Sequence, residues 1–234
     1  MKKKIAIIGF GKWGKKVYNS IKNDYLIKFI LNSKDKLSKI KSVDWVIITT
    51  PNNTHYRIVK YFLEKNFNVF CEKPLTTSSI KARKLIDYAK SNNIKLIISE
   101  IEKFKKIKLN IKKKNFIKRV HKSDNFNDFE YRIVYHDIYL LYKYLKNKNF
   151  KFNYYEKFNK KAFINLYCNR RKYEFNYSIS KKKKIHLINN INFTSNKDHI
   201  KKMFAISLKY NATQIKRNND RALFCIKFIE QYLK

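Results

Sequence analysis

Over residues 1–99, short apolar runs alternate with stretches in which apolar side chains recur every three or four positions. Lys4 to Ile8 is such a run, followed by Val17 and Ile21 at helical spacing. Tyr25 to Leu31 and Val43 to Thr49 are two more, the second apolar enough for a strand buried on both faces. Thr54 is placed to cap a helix whose apolar stripe is Ile58, Val59, Phe62 and Leu63. Phe67 to Cys71 reads as the next strand. Thr77 or Ser78 then caps a helix carrying Ala82, Leu85, Ile86 and Ala89, and Ile94 to Ser99 ends the series. Strands alternating with helices predict a doubly wound parallel sheet.

The period changes in the second half. Ala162, Ile164, Leu166 and Cys168 recur at every second position, as do Tyr173, Phe175, Tyr177 and Ile179. This is the pattern of an antiparallel sheet with one buried face. Asn169-Arg170-Arg171 and Lys181 to Lys184 read as polar turns, and helices are expected at about 197–209 and 218–233. The fold class expected is therefore α/β, with a doubly wound domain at 1–99 followed by a smaller α+β domain at 100–234.

Composition narrows the chemistry. The chain has 234 residues and only three glycines, and all three fall in Gly9-Phe10-Gly11-Lys12-Trp13-Gly14, between the first strand and first helix. Strand, G-x-G-x-x-G and helix in that order form the dinucleotide (Rossmann) fingerprint. Its first glycine permits the tight turn, its second lets a pyrophosphate approach the backbone, and its third lets helix and strand pack closely. Free N–H groups at the helix start bind the phosphates.

A formal charge of +38 invites a nucleic-acid reading. Lysine far outnumbers arginine, however, and is spread along the whole chain, so the excess reads as solvated surface and no specific nucleic-acid partner is expected. The basic start MKKKIAIIGF lacks the apolar length and cleavage site of a signal peptide, and no apolar run reaches membrane-spanning length. Three scattered cysteines support neither disulfides nor a metal site, so a reducing, cytoplasmic setting without metal is expected.

Both prolines mark motifs. Pro51 lies in T-T-P-N-N-T-H, at the end of the third strand, and Pro74 in C-E-K-P-L, at the end of the fourth. With IAIIGFGKWG and HDIYLLYKYL, these stretches resemble the Gfo/Idh/MocA oxidoreductases, relatives of glucose-fructose oxidoreductase and inositol dehydrogenase. The resemblance is dense over 1–99 and thinner beyond, with the second domain shortened chiefly between Glu100 and His136.

The resemblance implies hydride transfer between NAD(P) and a sugar, nucleotide sugar or cyclic polyol. Lys73 would sit beside the nicotinamide and the reacting hydroxyl, with Glu72 positioning the cofactor. Thr50, Pro51, Asn52 and His55 would line the cofactor side, although His55 reads equally as a helix-start residue with local hydrogen bonds. His136 takes the place of the acid/base histidine and Asp137 follows it in the H-D-I pattern, placing both at the substrate. Arg132 stands where the family has an aspartate; it cannot accept a proton, but it can bind an acidic substrate group. That substitution keeps open a non-catalytic dinucleotide-binding sensor or accessory subunit. At the end of the second strand stand Asn32 and Ser33, with Lys34 next; without a carboxylate there, the expectation is NAD(P) with a lean to NADP. An aromatic-rich sheet with one open face implies a homo-oligomer.

Overall fold

The computed structural model describes residues 1–105, 108–123, 127–146, 148–194 and 199–233, with the side chains of 153 and 154 left aside. The chain divides into two units: Met1–Phe104 with Asp198–Glu230, and Lys105–Lys197 with Gln231–Lys234.

The first unit holds a five-stranded parallel sheet. Its strands are β1 (Lys4–Ile8), β2 (Leu26–Leu31), β3 (Trp45–Ile48), β4 (Val69–Cys71) and β5 (Leu96–Ile98), in the order β2-β1-β3-β4-β5. The helices α1 (Lys12–Ile21), α2 (Asn52–Glu64) and α3 (Ser79–Ser91) connect them. Ile5, Ile7, Trp45, Ile47, Phe70 and Ile97 form one face of the sheet and meet Val17 and Ile21 of α1. The stripes predicted for α2 and α3 are buried as expected. Ser78 caps α3, accepting from the Lys81 N–H, but Thr54 does not cap α2. That helix starts three residues earlier, after Pro51, and the Thr54 hydroxyl donates to the Pro51 carbonyl from within the first turn. A fixed proline φ lets the helix begin without a side-chain cap.

The expected boundary at residue 99 needs correction. The helices α5 (Ile200–Ser207) and α6 (Ala212–Tyr232) lie largely in the first unit. The reason is coverage: α1 shields one end of its face, and the rest needs a second helix, because a parallel sheet is stable only with both faces covered. Ile200, Met203 and Phe204 of α5 fill that place, with Phe204 4.4 Å from the Phe70 ring. The first two residues of the helix expected from 197 lie outside the described residues.

The second unit is a six-stranded mixed sheet in the order β11-β10-β6-β9-β8-β7. Its strands are β6 (Lys114–Lys122), β7 (Phe150–Phe158), β8 (Lys161–Cys168), β9 (Arg171–Ser180), β10 (Ile185–Ile188) and β11 (Ile191–Asn192). All neighbours are antiparallel except β6 and β9, which run parallel. Ala162, Ile164, Leu166 and Cys168 face inward, as do Tyr173, Phe175 and Tyr177, matching the predicted alternation. Three two-residue turns, Asn159-Lys160, Asn169-Arg170 and Asn189-Asn190, have positive φ at both positions. With glycine so scarce, asparagine opens each, being the non-glycine residue that best tolerates this region. The helix α4 (Tyr135–Leu145) is entered through a π-type turn at Glu130–Val134.

Candidate functional site

The site in the first unit is built by strands that end together. The N–H of Gly9 donates to Leu31, that of Thr49 to Ile8, that of Glu72 to Ile48 and that of Ser99 to Cys71. The loops after β1, β3 and β4 therefore leave the sheet at one edge, the C-terminal edge where such sheets bind ligands. The Thr49 hydroxyl donates to the Gly9 carbonyl at 2.6 Å and ties two of these loops together.

The glycine loop fits a dinucleotide. Gly9 has φ +95°, and a Cβ there would lie 2.8 Å from Thr50 Cγ2. A Cβ on Gly14 would lie 2.0 Å from the Gly9 carbonyl oxygen, so helix and strand pack too closely for any side chain. Around Gly11 nothing comes within 4 Å, so this is the open side of the turn. Gly11 is also the N-cap of α1 and offers no side-chain hydrogen bond, leaving the first N–H groups of the helix to an anion.

A cleft of about 1030 Å³ opens here. Gly9, Phe10, Gly11, Lys12, Trp13, Asn32, Ser33, Thr50 and Pro51, all expected cofactor residues, line it. Its far wall was not foreseen: Asp35, Lys36, Leu37 and Ser38 from the loop after β2, and Thr54, Arg57, Ile58 and Tyr61 from α2. The α2 residues form one row at helical spacing, a signal hidden by placing the helix start at Thr54. Asp35 also amends the picture of an acid-free strand end. Its Oδ2 accepts from the Asn32 N–H at 2.9 Å and its Oδ1 from Lys39 Nζ at 2.8 Å.

His55 is a correction. It is fully buried and does not line the cleft. Its Nδ1 lies 2.7 Å from the Pro74 carbonyl and its Nε2 2.8 Å from that of Thr50, so the ring sits between the T-P-N and E-K-P loops and, when neutral, donates to one of the two carbonyls. Burial is the largest influence on its pKa and lowers it, assisted by the Lys73 charge and opposed by the two carbonyls. Asn52 stands in the first turn of α2, where it borders the same loop.

Glu72 is buried at the end of β4 and Lys73 follows it, half-buried and joined to Pro74 by a cis peptide. Burial raises the Glu72 carboxyl above its ordinary value, while Trp13, Lys73 and Ser99 pull it down.

In the second unit, Arg132 belongs to the π-type turn and His136, half-buried, to the first turn of α4. The Arg132 guanidinium donates to Ser123 Oγ at 3.2 Å and to the Asn127 carbonyl at 3.3 Å. Asp137 corrects its expected substrate role. It is fully buried, accepts from Arg119 Nε at 2.9 Å and Nη2 at 2.7 Å, and lies 2.9 Å from His186 Nε2. Although burial opposes it, the Arg119 charge, with the His186 ring beside it, holds the Asp137 carboxyl well below the usual range. The aspartate anchors α4 to β6 and β10.

Residues 23–100 match the model of an oxidoreductase family with an NAD-binding Rossmann fold. An uncharacterized oxidoreductase of Streptococcus pneumoniae is 37% identical over 75 residues, 32% of this chain and 20% of that protein. A D-xylose 1-dehydrogenase (NADP(+)) of Hypocrea jecorina is 38% identical over 56 residues, 24% of this chain and 14% of that protein. The matched segment thus spans a fifth or less of either relative. Among solved structures, UDP-N-acetylglucosamine 3-dehydrogenase GnnA from Acidithiobacillus ferrooxidans superposes with a TM-score of 0.76 at 14% identity, over 100% of both chains. The WlbA dehydrogenase from Thermus thermophilus, in complex with NAD and UDP-GlcNAcA, gives 0.72 at 13% identity, over 98% of this chain and 95% of that one. At such identities the likeness establishes the fold. No helix among the described residues is long and apolar enough to cross a membrane.

Proposed function

We propose that the chain, whose residues 23–100 match an NAD-binding oxidoreductase family, is a Gfo/Idh/MocA-type NAD(P)-dependent dehydrogenase or reductase of a sugar, nucleotide sugar or cyclic polyol. The observation that carries the reading is the meeting of the glycine, T-P-N and E-K-P loops at one edge of one sheet, around an open Gly11. Bound NAD(P) supplies the hydride chemistry. The chain's own part is to hold and to move protons. The N-terminus of α1 holds the pyrophosphate, and the Glu72 carboxylate, which accepts from the Lys73 N–H, lies beside Lys73. Lys73 binds the reacting oxygen, where a positive charge favours a developing alkoxide. His136, in its neutral form, takes the hydroxyl proton. Arg132 binds an acidic group of the substrate, such as a uronate or phosphate, through its planar pair of donors. Similarity to an NADP(+)-dependent relative supports the lean to NADP.

The test begins with the purified chain and both reduced dinucleotides, followed by a panel of neutral sugars, uronates and nucleotide sugars, read by absorbance of the reduced nicotinamide. Lys73→Met and His136→Gln should each lower turnover at least ~100-fold at nearly constant cofactor affinity. Arg132→Ala should raise KM for acidic substrates and spare neutral ones. Dinucleotide binding without turnover of any panel member would replace the enzyme reading with that of a sensor.

A further inference from the structure

The dinucleotide cleft carries charge that the glycine loop does not use. Arg57, on α2, lines it together with Ser33 and Lys36 of the loop after β2. Among the described residues, neither the Arg57 guanidinium nor the Lys36 ammonium has an ion pair or side-chain hydrogen bond. The one acid of the cleft wall, Asp35, is occupied in its own loop. One oxygen accepts the Asn32 N–H and the other faces Lys39, outside the cleft lining. The cations of this corner are therefore available, and its anion is engaged.

We propose that Arg57, with Lys36 and the Ser33 hydroxyl, binds the 2′-phosphate of NADP and makes Arg57 the residue that selects the phosphorylated dinucleotide. The inference rests on the dinucleotide-binding reading above. It follows from matching charge and shape. A phosphate monoester carries about −1.5 to −2 charge at neutral pH and three acceptor oxygens. A guanidinium meets two of those oxygens with parallel donors, and a lysine and a hydroxyl suit the third. An adenosine ribose without phosphate would leave two cations facing a neutral hydroxyl, and it would find the Asp35 carboxylate already engaged. The sequence alone places Arg57 in the middle of a surface helix, with nothing to connect it to Ser33.

The test measures dissociation constants for NADPH and NADH by nucleotide fluorescence at moderate salt. Adenosine 2′,5′-bisphosphate and 5′-AMP serve as competitors that report this corner alone. Wild type should prefer NADPH and the bisphosphate by about ten-fold or more, the range expected of hydrogen bonds between charged groups. Arg57→Ala should remove most of that preference and leave NADH affinity unchanged, while Arg57→Lys should restore part of it. Lys84→Ala, on the exposed side of α3, removes the same charge elsewhere and should change nothing. If wild type binds neither dinucleotide, the reading of the cleft itself fails. If it binds NADH as well as NADPH, or if Arg57→Ala keeps the preference, the cleft reading stands and the role of Arg57 is overturned. An equal loss in Lys84→Ala would reduce the effect to net charge and overturn it as well.

Discussion

At the scale of single residues, the three glycines make different demands, and substitution separates them. Gly14 tolerates no Cβ, whereas one at Gly11 would meet nothing within 4 Å. Gly11→Val should therefore fold with a melting midpoint close to wild type and yet lose dinucleotide binding, because only the ligand needs that space. Calorimetry with and without NADPH checks both halves, and wild-type affinity in the variant would mean that the pyrophosphate lies elsewhere. His55 makes the opposite case, a structural residue inside a binding motif. Its pKa is lowered in the folded state from 6.5, so below that pH the unfolded chain holds the extra proton. The His55 contribution is then complete above pH 6.5 and lost as the pH falls through the window beneath it. Urea midpoints of wild type should drop on going from about pH 8 to about pH 5 more than those of His55→Asn. At the upper pH the variant should be about 1–3 kcal/mol less stable, having lost the ring packed between the two loops and the hydrogen bond it donates to one buried carbonyl. Equal slopes would remove His55 from the account.

At the scale of elements, most of the first sheet was legible because β1, β3, β4 and β5 are buried on both faces and nearly purely apolar. The strand β6 was not, since its inward positions include Asn115 and Arg119, which break the alternation. Both are satisfied only through the fold, Asn115 by the Lys112 backbone and Arg119 by Asp137. The role of α6 was hidden for a similar reason. Its Asn218 is buried, and its side-chain amide accepts from the Ile98 N–H and donates to the Ile98 carbonyl, both at 2.8 Å. The amide replaces the peptide of a missing neighbour along the edge strand β5, a device for closing a sheet edge. Asn218→Ala should cost about 2–4 kcal/mol in urea unfolding, since two buried backbone groups lose their partners. Asp137→Asn should cost about 3–5 kcal/mol, because it leaves Arg119 buried without a counter-charge. Since the Asp137 pKa is depressed, that stabilisation is present above the ordinary carboxylate range and lost as the pH falls through the folded value. The penalty of the substitution should shrink in strong acid, and a constant penalty would argue against the ion pair as its cause.

At the scale of the whole molecule, a formal charge of +38 opposes association at low ionic strength. The second unit nevertheless leaves large apolar side chains in the open. Phe163 and Tyr167, on the outward side of β8, are 38% and 37% exposed, and Phe158 at the end of β7 is 64% exposed. Cross-strand order places Glu156 and Lys151 of β7 opposite these two β8 aromatics, and Asn176 of β9 opposite Phe163 on its other side. The face is thus mixed, apolar enough to associate and charged enough to be particular about its partner. A homo-oligomer through this face is the expected assembly, formed by a self-complementary contact about a two-fold axis. Salt should then act in a direction opposite to its effect on a complex held by ion pairs. Screening at about 0.15 M shortens the reach of the lysine field to roughly 8 Å, so self-repulsion falls while apolar burial is untouched. Light scattering should show a larger mass as salt rises from low to moderate, and Phe163→Lys should return the chain to 28.5 kDa at every salt concentration. If the wild-type chain stays at that mass throughout, the outward face remains in water and the assembly is abandoned. If the mass falls with salt instead, the subunits are joined by charge, and the aromatic face is not the contact.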